Sequence, residues 1–519
     1  MDESFFLLVL CFLAVIICKL LTRKKTKAHP LPPGPLGYPL LGCLPQMLKN
    51  KPTFRWIHKL MQDLNTEIAC IRLGSIHVIA VTSPELAREF LKKQDSIFAS
   101  RPDCMSGKLT SNGYLTAALS PIGDQWKKMR RVLASEVLSM NMHRWLYEKR
   151  CEEADHLIRY IYNQIKNPRK NGVVNVRIAA QHYCGNVIRR LVFNKRFFGK
   201  GMEDGGPGME EEEHVAGLFT ILSYLYGFSV ADYAPWLEIF DFDGYKKFLK
   251  NAIENVTKYQ DPEIIKRVEM WRKGERKVEE DILDVLINLK DSNFNPLLTI
   301  QEIRAQIVEI MIATVDNPSN AIEWAMAELL STPDILEKAQ KELDDVVGRN
   351  RLVEESDISS LNFVKACARE AFRLHPIAPF NVPHVSTKDT IVGGYFIPKG
   401  SHVLLSRPGL GRNPRVWDDP TSYNPERHIV NASSEVMLVD NDLNMLSFST
   451  GRRGCAGVLL GSTMTTILLA RLLQGFTWTE LKGQKIDLTE SHGDLFMAKP
   501  LIAHAAPRLN PHVYMKLLE

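Results

Sequence analysis

Apolar residues follow three rhythms along this chain. Residues 5–18 form an unbroken apolar run, which Leu20 to Thr22 extends past Lys19. At about 18 residues the run is just long enough to cross a bilayer. Residues 68–81 alternate, and the period of two predicts a pair of strands with Gly74-Ser75 as the hairpin turn. After Gly457, apolar residues recur at helical spacing through Leu473. Ser83-Pro84-Glu85 predicts a helix start, with Ser as cap and Pro in the first turn, and Thr332-Pro333 predicts another. Residues 390–405 read as two short strands around Gly393-Gly394 and Pro398, and the Gly- and acid-rich residues 199–213 as an exposed loop. No repeat or long linker divides residues 36–519. The fold class expected is mainly α with small β-sheets, in one large domain.

Charge sets the orientation of the first segment. Asp2 and Glu3 precede the apolar run, while Lys19, Arg23, Lys24, Lys25 and Lys27 follow it without an intervening acid. Basic flanks stay on the cytoplasmic side, so residues 1–22 read as a retained single-pass anchor with the body in the cytosol. A cleaved signal peptide is the alternative, but its positive charge normally precedes the run. Residues 23–35, basic and then Leu31-Pro32-Pro33-Gly34-Pro35, read as a stiff lever. The sequons at Asn255 and Asn431 would be idle in the cytosol.

Composition narrows the class further. Apolar residues make up 45% and charged residues 24%, which excludes disordered, collagen-like and polytopic membrane proteins. The net charge of +5 does not call for nucleic acid. Nine Cys without regular spacing exclude a disulfide scaffold and suit a reducing compartment.

The strongest chemical signal is Phe448-Ser449-Thr450-Gly451-Arg452-Arg453-Gly454-Cys455-Ala456-Gly457. Glycines let a backbone turn sharply and pass close to a flat ligand. Arginines favour thiolate, the metal-binding form, and a following helix N-terminus does the same. This arrangement resembles the haem-ligand signature F-x-x-G-x-R-x-C-x-G of the cytochrome P450 superfamily. The resemblance implies that Cys455 is the axial thiolate of a haem b (heme b) iron. It also implies that Phe448, Gly451, Arg453 and Gly457 shape the loop, with Arg453 at a propionate. Trp126 and Arg130 match W-x-x-x-R and, with His384, are expected at the propionates. Glu370-Ala371-Phe372-Arg373 supplies E-x-x-R. Pro425-Glu426-Arg427-His428 resembles P-E-R-F with His in place of the aromatic. Glu370, Arg373 and Arg427 are thus expected as a structural charge cluster.

One segment departs from the superfamily pattern. Most members carry A/G-G-x-D/E-T on the helix above the haem, and here the sequence is Ala313-Thr314-Val315-Asp316-Asn317-Pro318. Asp316 keeps the acid, Asn317 replaces the Thr, and Pro318 follows. Proline in a helix removes an N–H and clashes with the carbonyl four residues back, which belongs to Thr314. That carbonyl needs water or another donor. Thr314, Asp316, Asn317 and Pro318 are therefore the expected catalytic set. With residues 375–384 and the His of P-E-R-H, Asp-Asn-Pro-Ser-Asn is similar to the plant amino-acid N-monooxygenases. That family converts an L-amino acid to its aldoxime by two N-hydroxylations, then dehydration and decarboxylation.

By superfamily position the pocket draws on residues 101–122, 309–318, 376–383 and 493–499. Phe380 and Phe496 are candidates for an apolar side chain, and Asn381 and Thr116 for polar contacts. No flavin or dinucleotide fingerprint occurs, so electrons should come from a separate NADPH-cytochrome P450 reductase. The resemblance places that reductase on the same endoplasmic reticulum membrane. Arg130, Arg131 and Arg452 are candidates to dock it. The alternatives are a carbon hydroxylase of a lipid, terpenoid or phenylpropanoid, and a non-catalytic haem-binding protein.

Overall fold

In the computed structural model, which describes residues 29–431 and 434–518, helices build the largest apolar core. The expected anchor lies outside the described residues, as does part of the Asn431 sequon. In chain order come α1 (Thr53–Asp63), β1 (Ile68–Leu73), β2 (Ile76–Val81), α2 (Asp124–Val132) and α3 (Tyr147–Lys166). Then follow β3 (Val173–Asn175), α4 (Val176–Phe193), α5 (Met209–Tyr224), α6 (Tyr245–Arg272) and α7 (Ile300–Ser331). The next stretch holds α8 (Pro333–Val346), α9 (Asn362–Leu374), β4 (His384–Val385), β5 (Thr390–Val392) and β6 (Tyr395–Ile397). Last are β7 (His402–Leu405), α10 (Val458–Gly475), β8 (Phe476–Thr479) and β9 (Ile502–Pro507). The sheets run β1-β2-β7-β4, β3-β9-β8 and β5-β6.

Helix α7 is the central element. Thr299 and Glu302 cap it reciprocally: Glu302 N donates to the Thr299 hydroxyl and Thr299 N to the Glu302 carboxylate. Apolar residues surround most of its circumference, so it packs on α4, α9 and α10 at once. Helix α10 is the one described helix long and apolar enough to cross a membrane, and most of it is buried in the core.

The expected hairpin is present, with Leu73 opposite Ile76 and Gly74 at φ +57°. Ser83 caps the helix Pro84–Arg88, accepting Leu86 N. Thr332 differs: its hydroxyl donates back to the Glu328 carbonyl and caps nothing in α8. Residues 390–405 hold three strands, because a left-handed turn at Gly393-Gly394 closes the β5-β6 hairpin and β7 leaves to join β2. The expected loop 199–213 ends early, since Glu211 is buried and accepts Phe198 N and Gly208 N at the start of α5. The proline segment is no free lever from residue 30 onward. Pro33 O accepts Cys70 N of β1 (2.8 Å), Pro30 O accepts Phe396 N (2.8 Å), and a Cβ on Gly34 would sit 1.8 Å from the Cys70 carbonyl.

Candidate active site

A deep cavity opens between α7 and the loop that enters α10. From α7 it is lined by Gln306, Glu309, Ile310, Ala313, Thr314, Asn317 and Pro318, and from the facing loop by Phe448, Cys455 and Gly457. The α7 positions recur every three or four residues, which places them on one stripe of the helix.

The Cys455 loop is held by its backbone. Cys455 N donates to Phe448 O (2.9 Å), Gly454 N to Gly451 O (3.0 Å), and Gly457 N to Cys455 Sγ (3.3 Å). Gly451 sits at φ +73°, and a Cβ there would lie 2.5 Å from Leu91 O. Phe448 packs edge-on against Phe372 of α9. Burial pushes the Cys455 thiol pKa up, against the Gly457 N–H, Arg130 and Arg407. The two arginines that precede the cysteine in sequence face elsewhere. Arg452 pairs with Asp95 (3.1 Å). Arg453 donates to Ala99 O (2.5 Å) and Ser120 O (2.7 Å) and lies over the Trp126 ring.

At one end of the cavity Trp126, Arg130, His384 and Arg453 come together. Trp126 Nε1 is buried without a protein partner. His384 Nδ1–H donates to Phe98 O (2.7 Å), and burial, then Arg101 and Arg453, hold its pKa well below the ordinary value. Arg101 is spent on the carbonyls of Ala118, Val382 and Pro383. An open sulfur on one wall, an orphaned indole N–H and a guanidinium at one end fit a haem with its two carboxylates.

Behind the loop, the Glu370 carboxylate receives Arg373 (2.7 and 2.8 Å), Arg427 (3.0 Å), His428 (2.8 Å) and Asn424 N (2.9 Å). Burial would raise the Glu370 pKa, but Arg373 and His428 outweigh it and hold the carboxyl at about 2. His428 was expected only as a departure from P-E-R-F, and it is the fourth member of the cluster. A polar residue beside an arginine in that motif was the signal.

Four expectations about the pocket are corrected. Asp316 does not line the cavity: it is buried on another face of α7, where its Oδ1 accepts Asn320 Nδ2 (2.7 Å). Burial, then Asp494, push its carboxyl up to about 8. Phe380 packs on His58 and Phe228, and Phe496 on Phe219, outside the cavity wall. Thr116 is wholly buried beside Glu309, behind the wall residues Ala117 and Ala118. Asn381 does line the cavity, with Oδ1 accepting Leu405 N (2.7 Å) and Nδ2 unpartnered. Asn317 Nδ2 donates to Ala313 O (3.0 Å), so its amide returns to the helix one turn back. Of the docking candidates, Arg131 is exposed, Arg130 faces the cavity and Arg452 is paired. Sequence reading missed Arg407, a half-buried cation in the wall that no motif marks.

Comparison with known proteins agrees with this geometry. The cytochrome P450 family model matches residues 32–505. A phenylalanine N-monooxygenase of Arabidopsis thaliana is 57% identical over 94% of this chain and 93% of its own length. Valine N-monooxygenase 1 of Manihot esculenta is 57% identical over 95% and 90%. A tyrosine N-monooxygenase of Sorghum bicolor is 56% identical over 93% and 87%. The chain belongs to the cytochrome P450 family, within its group of amino-acid N-monooxygenases.

Proposed function

We propose that this monooxygenase converts a free L-amino acid with an apolar aliphatic or aromatic side chain to its aldoxime. Two N-hydroxylations come first, and loss of water and CO2 completes the reaction. The observation that carries the reading is Asn317-Pro318 in the cavity wall across from Cys455, in a chain more than half identical to relatives named for Phe, Val and Tyr. A carbon hydroxylase would be expected to keep Thr at position 317. When bound, a thiolate-ligated haem activates O2 for oxygen insertion.

The protein's own residues divide the remaining work. Cys455 would ligate the haem iron, and Trp126, Arg130, His384 and Arg453 would hold the propionate end of the group. Pro318 withholds an N–H from the Thr314 carbonyl, and with Asn317 that carbonyl positions the water that supplies protons. Asp316, behind the helix, orients this segment through Asn320 and does not meet substrate. Ile310, Ile377 and Val382 favour an apolar side chain, in place of Phe380 and Phe496. Residues 1–22 anchor the enzyme in the endoplasmic reticulum membrane with the catalytic domain in the cytosol, beside its NADPH-dependent reductase.

The test supplies membranes containing enzyme and reductase with NADPH, O2 and each protein amino acid in turn. At least one apolar amino acid should yield the oxime one carbon shorter. A carbon-hydroxylated terpenoid or phenolic, with no oxime from any amino acid, overturns the reading.

A further inference from the structure

Among the described residues that line the cavity, Glu309 is the one carboxylate. It stands on α7 one turn before Ala313 and two before Asn317, about 6 Å along the axis from Ala313 at 1.5 Å per residue. Some buried acids of this protein meet a cation directly, as Glu302 meets Lys128, Glu323 meets Arg177 and Glu370 meets Arg373, while Glu211, Asp232 and Asp316 are held by neutral donors but line no part of the cavity. Glu309 meets only neutral donors. Its oxygens accept Ala118 N (2.9 and 3.0 Å) and Gln306 Nε2 (3.1 Å). Arg101, Arg130 and Arg453 act on it from a distance without touching it; Arg101 and Arg453 are engaged with backbone carbonyls, and Arg130 stands at the end of the cavity with Trp126. A glutamine would tie down Ala118 equally well, so the local structure makes no use of the charge. A half-buried carboxylate with no cation in contact is costly to keep charged, and a cationic ligand in the cavity would offset that cost.

We infer that Glu309 receives the α-ammonium group of the amino-acid substrate, an inference that rests on the reading under Proposed function. A carbon hydroxylase of neutral lipids or phenols has nothing to place against this charge. The pairing also serves the chemistry, because an ammonium nitrogen has no free electron pair to oxidise. One N–H bond of the ammonium breaks and one O–H bond forms on Glu309. The proton moves between them, and the total charge is unchanged. Burial, which raises the Glu309 pKa, favours that uptake.

The inference separates the two hydroxylations. The first starts from a charged ammonium, whereas the N-hydroxyamino acid intermediate carries a weakly basic nitrogen that is neutral near pH 7. Glu309→Gln, checked for normal haem content and melting, should be assayed with both compounds. Truncating a buried charge pair costs enough to lower kcat/KM for the amino acid at least about 30-fold. With the supplied N-hydroxyamino acid it should stay within about threefold of wild type. In equilibrium binding, the wild-type preference for the amino acid over its 2-hydroxy acid analogue should collapse in Glu309→Gln. Unchanged use of the amino acid overturns the inference, and so does an equal loss with both compounds, which marks a structural role. Wild-type enzyme that makes no oxime overturns the underlying reading, and the equilibrium comparison then decides on Glu309 alone.

Discussion

Behind Cys455, every donor and acceptor is already taken. Glu370 accepts from Arg373, Arg427, His428 and Asn424 N, and Arg373 fills its remaining donors with the carbonyls of Gly411, Pro420 and Ser422. Around the cavity the opposite holds. Among the described residues, Trp126 Nε1, Asn381 Nδ2 and Arg407 Nε are buried without partners, and no cation touches Glu309. The closed network holds a shape, since satisfied buried charges resist rearrangement. The open groups are held ready for something the protein itself does not supply, because leaving them bare costs free energy.

The largest effect should come where the two regions meet. Cys455→Ser should lose the thiolate-type carbon monoxide difference spectrum and all turnover, because serine oxygen is a poor electron donor to iron. Cys367→Ser, at a buried thiol in α9, should keep both. Normal spectrum and rate in the first variant would remove the ligand assignment.

The closed network should break as a unit. Glu370→Gln leaves Arg373 and Arg427 without their carboxylate and should cost about 3–5 kcal/mol of stability. The readout is a fall in melting temperature and loss of the thiolate-type carbon monoxide difference spectrum. The same carboxyl predicts an acid limb. Its folded-state pKa of about 2 lies below the ordinary 4.5, so its stabilisation is complete above about pH 4.5 and vanishes as pH falls towards 2. That contribution is about 3 kcal/mol by the linkage relation. In Glu370→Gln the limb should shrink, and an unchanged acid transition would show that the cluster is dispensable.

On the open side the effects should be kinetic. Pro318→Ala restores an N–H to the Thr314 carbonyl and should lower oxime formation several-fold while peroxide release rises at constant NADPH use. Unaltered coupling would take away the role given to that carbonyl. The smallest effect is expected at Phe380. Phe380→Leu should leave the preference among amino acids within about twofold, because the ring packs on His58 and Phe228. A reversed preference would return Phe380 to the pocket.

What lies in the sequence is what local chemistry fixes. The hairpin at Gly74, the cap at Ser83, the Cys455 loop and the i,i+3 pair Glu370 and Arg373 each depend on residues a few positions apart, so their spacing carries them. The switch from loop to helix at Met209 was hidden, because burial of Glu211 depends on Phe198 and on packing with α6. The helix face shown to the cavity was hidden too. Asp316 and Asn317 are neighbours in sequence, yet successive helical residues point about 100° apart, and only the packing of α7 on α4 and α10 decides which one faces the cavity. The same holds for charge. Sequence shows Arg452 and Arg453 beside Cys455, whereas tertiary structure turns both away and brings Arg130 and Arg407 within reach of the sulfur. Covalent neighbours set which groups are near in the chain, while electrostatics and burial act through space, and only the folded packing defines those distances.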